Sequence, residues 1–201
     1  MFLGGPIPRK GTRGLERECL RITRRSGDHE EISGGVKVIM KAKAAILTEY
    51  QKPLAVDEID LEQPKEKEVL VKMQAAGLCH SDYSVSQGII RMPPLPCIPG
   101  HEGAGVVQEV GPCVTRVKPG DHVLIVWVPS CGKCYYCSKK QPYLCAEKDI
   151  TRAGTMLDGT YRVRCKGKNI HVMQGVGTFS EYTVVSCSDE GQLRFAIDAD
   201  G

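Results

Sequence analysis

The sequence predicts a mainly β domain, an all-β barrel with short helical inserts and a cysteine-rich lobe. Three observations carry this expectation. Short runs rich in β-branched residues recur and are punctuated by Gly and Pro. No apolar run approaches the roughly 20 residues of a membrane-spanning helix. Four cysteines, Cys131, Cys134, Cys137 and Cys145, crowd into one segment.

Taken in order, residues 1–39 are rich in Arg and Gly, with weak periodicity, and read as a disordered leader or a misplaced start. Glu16, Glu18, Asp28, Glu30 and Glu31 argue against an acid-poor transit peptide. Met40 opens a sequence with fold-like patterning that runs to 186. Strands are expected at Lys43–Leu47, Leu54–Ile59, Glu68–Ala75, Gly103–Val110, His122–Val128 and Phe179–Val185. In Glu68–Ala75 the alternation puts Val69, Val71 and Met73 on one face and Lys72 and Gln74 on the other. Pro119-Gly120-Asp121 marks a turn. Ser81–Gln87 reads as a short helix. Residues 187–201 are polar and acidic and are expected to be irregular.

Composition is that of an ordinary soluble domain: 41% of residues are hydrophobic and 25% charged, enough for one real core. The net charge of +3 is too weak to indicate nucleic acid or a membrane surface. The opening MFLGGPIPRKGTRG lacks the apolar stretch of a secretory signal. Ten cysteines would suggest disulfides in a secreted chain, but nothing here indicates secretion. The clustered four suit a metal in a reducing, cytoplasmic setting. For the scattered six, packing as small apolar residues is the default.

The cluster spells C-x2-C-x2-C-x7-C within a lobe at 129–147. Two-residue spacers let a chain curl around one ion, and Ser130, Gly132 and Pro142 favour the turns. Four thiolates satisfy tetrahedral zinc at about 2.3 Å each and leave no open position, so the site is structural. An iron–sulfur cluster is the sharper rival. Its bacterial run has a shorter last spacer and ends Cys-Pro, whereas Ala146 follows Cys145.

A second constellation joins Gly77-Leu78-Cys79-His80-Ser81-Asp82 with Gly100-His101-Glu102-Gly103. It offers a thiolate, an imidazole and a carboxylate. Catalytic zinc sites use three protein ligands and keep one position for water or substrate. On the residues alone, a second metal site and a merely structural Cys-His pair stand level.

These two motifs, then Val-Lys-Pro-Gly-Asp-His-Val, the four-cysteine lobe and Thr-Phe-Ser-Glu-Tyr-Thr-Val-Val, follow one another over Met40 to Ser186. In that order they resemble the zinc-dependent, medium-chain alcohol dehydrogenases. The resemblance implies a GroES-like β-barrel with one catalytic and one structural zinc. Cys79 and His101 match catalytic-zinc ligands. Glu102 matches the acidic neighbour that approaches or binds that zinc. Ser81 matches the hydroxyl that relays the alcohol proton, and Asp82 a carboxylate that orients a ligand. His80 matches a position near the cofactor phosphates. The lobe cysteines match the structural zinc.

Two departures stand out. Where family members often carry a His beyond the relay hydroxyl, this chain has Ser84, so the resemblance implies a weaker relay or one ending in water. The family's third firm zinc ligand is a Cys well beyond the Tyr-Thr-Val-Val strand, and this chain offers none there. Cys187 comes too early, and Cys97 is assigned to packing. A dinucleotide-binding turn is not found either: Gly175-Val176-Gly177 leads into a strand, not a helix. The resemblance therefore implies oxidation of a small alcohol to an aldehyde or ketone, with hydride transfer to NAD or NADP bound by a domain beyond this fragment. It implies a homo-oligomer for the full-length enzyme and an inactive fragment. The alternative class is a non-catalytic zinc-binding module.

Overall fold

The computed structural model of the chain describes residues 38–187 and 193–195, with side chains from 40 to 187. The leader expected at 1–39 lies, apart from the opening of the first strand, outside the described residues. The strands are β1 (Val38–Ile46), β2 (Ala55–Glu62), β3 (Glu68–Ala76), β4 (Cys97–Ile98), β5 (Gly103–Val110) and β6 (His122–Ile125). They continue as β7 (Val163–Cys165), β8 (Lys168–Asn169), β9 (His171–Val172), β10 (Tyr182–Ser186) and β11 (Leu193–Phe195). Helices are short: α1 (His80–Ser86), α2 (Tyr135–Ser138) and α3 (Lys148–Arg152). Among the described residues no helix is long and apolar enough to cross a membrane.

Two sheets share a core. One has the order β1-β2-β7-β8, the other β10-β3-β5-β6-β11, and β4 pairs with β9 in a small parallel ladder. Side chains of a strand alternate between faces, and both faces of β3 and β10 meet apolar neighbours. Leu70 and Val184 join Ala44, Ile46, Ile59, Leu61 and Val163 in one cluster. Val69, Val71 and Val185 join Val107, Val123 and Ile125 in another. The alternation expected for β3 holds: Val69, Val71 and Met73 belong to or pack against the second cluster, and Lys72 and Gln74 are exposed, while Leu70 on their face is buried in the first cluster. Its first four residues, Glu68 to Val71, are all buried, and polar exposure begins only at Lys72. Each fully buried Val or Leu contributes about 1.5–3 kcal/mol, so β3 is where the two cores are tied together.

A buried ion pair secures the start of β3. The Arg162 guanidinium donates to both Glu68 carboxylate oxygens at 2.7 and 2.6 Å, and to Asp158 at 2.7 Å. Arg162 and Glu68 side chains are 1% and 7% exposed. This pairing spans 94 residues, and no local pattern announces it.

Most expected strands fall within a few residues of the observed ones. His122–Val128 stops at Ile125, and Trp127 beyond it is exposed. The stretch expected from Phe179 becomes regular only at Tyr182, after a single bridge from Ser180 to Ala44. The tail at 187–201 also departs from expectation. Leu193–Phe195 pairs antiparallel with Ile125–Val123 and extends the larger sheet. A three-residue strand is too short for periodicity to register, and it forms because β6 still has an open edge.

Packing accounts for three scattered cysteines. Cys97 is fully buried beside Leu47, Val85 and Met173, and burial pushes its thiol up to about 12. Cys187 lies in the second cluster and Cys165 against the first. Cys113 departs from the packing reading: it sits at φ +63° just after β5 and is disulfide-bonded.

Candidate metal centres

Strand register brings the second constellation together. β3 and β5 pair so that Ala76 lies opposite Gly103. The Gly77 amide continues the ladder, donating to the Glu102 carbonyl at 3.1 Å. Residues just past the end of β3 therefore face residues just before β5. Cys79 and His101 meet there.

Cys79 is the N-cap of α1. Three residues on, Asp82 accepts the Cys79 amide at 2.9 Å, the capping-box geometry that satisfies an orphan donor of the first turn. The other Asp82 oxygen accepts the Gly100 amide at 3.0 Å and meets His101 Nδ1 at 3.2 Å. One buried carboxylate thus caps the helix, ties down the Gly100 loop and fixes the imidazole. Burial works against its charge, yet His101 and the two amides hold it below the usual carboxylate range. Asp82 in turn raises the His101 pKa, against the effect of burial.

With Nδ1 engaged, His101 presents Nε2. A ring nitrogen of His101, the Cys79 sulfur and a Glu102 carboxylate oxygen all lie within 4.8 Å of one another. Nε2 is 3.9 Å from Glu102 Oε1. The Ser81 hydroxyl sits 3.2 Å from the Cys79 sulfur, and this contact lowers the thiol pKa. A thiol inclined to ionise, a carboxylate and a tautomer-fixed imidazole form a donor set that suits a zinc-like cation. The loop demands glycine at 100, where φ is +90° and a Cβ would come within 2.6 Å of the Phe179 ring and 2.8 Å of its amide nitrogen.

The lobe is built differently. Cys131, Cys134, Cys137 and Cys145 place their sulfurs within 4.8 Å of one another. Thiolates about 2.3 Å from one tetrahedral ion lie about 3.8 Å apart, so the set fits with small adjustment. Cys134 caps α2, and its amide donates to the Cys131 sulfur at 3.4 Å. Amides of Ala146 and Cys137 lower the Cys134 thiol to about 6. Burial pushes Cys145 up to about 12. Without a cation the four cannot all ionise cheaply; with one, the buried negative charge is compensated.

The family model for the alcohol dehydrogenase GroES-like domain matches residues 65–190, well over half of the chain. The chain belongs to the zinc-type alcohol dehydrogenase family. Solved structures agree. An alcohol dehydrogenase zinc-binding domain protein from Burkholderia ambifaria matches at TM-score 0.73 and 29% identity. Benzyl alcohol dehydrogenase from Acinetobacter calcoaceticus matches at TM-score 0.68 and 30% identity. A thermostable alcohol dehydrogenase from Pyrobaculum aerophilum matches at TM-score 0.59 and 29% identity. Each match covers 80% of this chain, which spans only 43%, 42% and 43% of those structures, respectively.

In this alcohol dehydrogenase domain, the residues singled out from sequence gather into two groups. Cys79, His101 and Glu102 converge, with Ser81 and Asp82 beside them. The four lobe cysteines converge separately. His80 is exposed at the head of α1, 3.3 Å from the Ser84 hydroxyl, so Ser84 turns back to His80. Cys97 and Cys187 contribute to neither cluster. Gly175-Val176-Gly177 is a tight turn leading to β10, not a strand-to-helix junction. Sequence reasoning passed over Thr178, whose hydroxyl reaches the His101 loop from 76 residues away. Its only local signal is its place after Gly177, in the Thr-Phe-Ser-Glu-Tyr motif.

Proposed function

We propose that this chain carries the metal-binding and proton-handling part of a zinc-dependent alcohol dehydrogenase. The reaction is oxidation of a small alcohol to an aldehyde or ketone, or the reverse, with hydride passing to or from NAD or NADP. The observation that supports this best is the Asp82–His101 pair, which leaves Nε2 free to converge with the Cys79 sulfur and Glu102. Three protein donors leave one position for water or substrate, the mark of a catalytic site and not a structural one.

Zinc bound there supplies Lewis acidity toward an alcohol oxygen. The chain's own residues do the rest. Cys79 and His101 hold the cation, and Asp82 keeps His101 in the tautomer that can ligate. Glu102, with its side chain 53% exposed, has room to approach or withdraw. Ser81, half-buried beside the Cys79 sulfur, would take the alcohol proton while its own hydroxyl proton passes on to water. His80, at the exposed start of α1, is available to the cofactor phosphates. The lobe holds the second zinc for structure alone. The hydride chemistry is the cofactor's, and the described residues offer no glycine-rich strand-to-helix turn for it, so the nicotinamide is held elsewhere. The partner is a small molecule, the assembly a homo-oligomer, and the setting the cytoplasm.

Cobalt exchanged into the Cys79 centre reads this directly. A small primary alcohol or aldehyde is expected to perturb the visible cobalt bands, and Cys79→Ala is expected to abolish both bands and perturbation. Bands that depend on Cys79 but ignore alcohols and aldehydes would overturn the assigned substrate class.

A further inference from the structure

We infer that Thr178 is a positioning residue for the His101 ligand, acting through the backbone on both sides of it. This rests on the proposed metal centre at Cys79, His101 and Glu102. Thr178 is 1% exposed and precedes β10. Its amide donates to the Gly100 carbonyl at 3.1 Å. Its hydroxyl donates to the Glu102 carbonyl, also at 3.1 Å. The two carbonyls belong to the residues that flank His101, so a single residue from a distant segment holds the peptide before the ligand and the peptide that follows Glu102.

The Glu102 carbonyl is also a junction. It accepts the Gly77 amide at 3.1 Å from the segment that leads to Cys79. The Thr178 hydroxyl thus braces the point where the two ligand-bearing segments are joined. Packing reinforces this. A Cβ at Gly103 would come within 3.0 Å of the Thr178 methyl, so the methyl lies tight against the start of β5. The hydroxyl fixes the carbonyl and the methyl fixes the strand; serine retains the first and valine only the second.

The consequence is specific to the metal. Losing the hydroxyl leaves the part-buried Glu102 carbonyl with one donor instead of two. The sheet itself keeps its ladder, but the relative placement of His101 and Cys79 loosens. The effect falls on the Cys79 centre and not on the lobe.

The test uses the full chain, loaded with zinc and then exchanged with Co2+ at its more labile site. The wild-type chain is expected to show visible cobalt bands that Cys79→Ala lacks. Thr178→Val is expected to weaken Co2+ binding about fivefold, the scale of one buried hydrogen bond, and to shift the bands. Thr178→Ser is expected to stay within about twofold of wild type with unshifted bands. Lobe metal should be unchanged in all of them. If Thr178→Val does not fold, Thr178→Ala replaces it, since it introduces no new atoms. A folded Val or Ala variant with wild-type affinity and bands would overturn the inference. So would a Ser variant as impaired as Val, because the hydroxyl would then not matter. A purely structural role would lower the melting temperature without moving the bands. Absence of any Cys79-dependent cobalt signal in the wild type would instead overturn the metal centre itself.

Discussion

The two metal centres are assembled in opposite ways. The lobe takes all four donors from one short loop, and its surroundings are thin. Tyr135 and Tyr143 are 69% and 64% exposed, and the only buried apolar side chains among residues 131–145 are Cys137 and Cys145. The sulfurs are effectively the lobe's core. The Cys79 centre takes its donors from two segments joined by β3–β5 pairing, above the packed valines of the second cluster. On the proposed reading, metal would hold up the lobe, whereas the fold holds up the Cys79 centre.

Removing a lobe donor should break this contrast most sharply. Cys134→Ser is expected to abolish lobe metal and to unfold residues 129–147, because structural zinc contributes about 10 kcal/mol or more to folding in small domains. Hydrogen exchange should show fast amides there and continued protection in β3 and β5. Full metal retention in this variant would remove the lobe from the account.

The scaffold side is tested at Arg162. Arg162→Leu leaves the Glu68 carboxylate buried without its partner, at a cost of about 3 kcal/mol. Denaturant titration should show that loss, with metal per folded chain unchanged. A near-neutral result would mean that Glu68 finds water or another donor.

How much of each centre was legible follows from the same contrast. The lobe could be read from spacing alone, because its geometry is local. Cys79, His101 and Glu102 became readable only through the order of several motifs, since no spacing rule links positions 79 and 101. The double role of Asp82 and the brace from Thr178 were not legible: each depends on strand register or on a contact across the sheet. The strands β1, β2, β3 and β5 were visible as apolar runs. Those of two or three residues, β4, β7, β8, β9 and β11, were not, because pairing partners and not propensity decide them. The alternation of β3 was legible, but a single strand does not reveal that Leu70, on the face of Lys72 and Gln74, is also covered.

Asp82 sharpens the comparison further. Asp82→Asn keeps the shape but removes the charge that orients His101. It should weaken metal at the Cys79 centre about tenfold, the lower end expected for such partners. Chelator competition measures this, and lobe metal should be unaffected. Equal weakening at both centres would mean that Asp82 acts through general stability.

The smallest effect concerns acid. Burial opposes the Asp158 charge, but Arg162 and Thr160 outweigh it and hold the carboxyl well below its usual range. A depressed carboxyl stabilises the fold above its unfolded pKa of about 3.9, and that contribution fades as pH falls through the folded value. Asp158→Asn should therefore flatten the acid limb of the stability curve. With the side chain 41% exposed, screening limits the change to less than about 1 kcal/mol. Steeper acid loss in the variant would reverse the assigned sign.

The central claim, one metal that holds its lobe and one that its scaffold holds, is tested most directly by counting zinc before and after mild chelation. The account predicts about two zinc ions per wild-type chain, about one after the chelator, and about one throughout in Cys79→Ala, with the far-ultraviolet spectrum unchanged in each case. Loss of both ions together, with unfolding of the sheets, or two ions retained in Cys79→Ala, would contradict it.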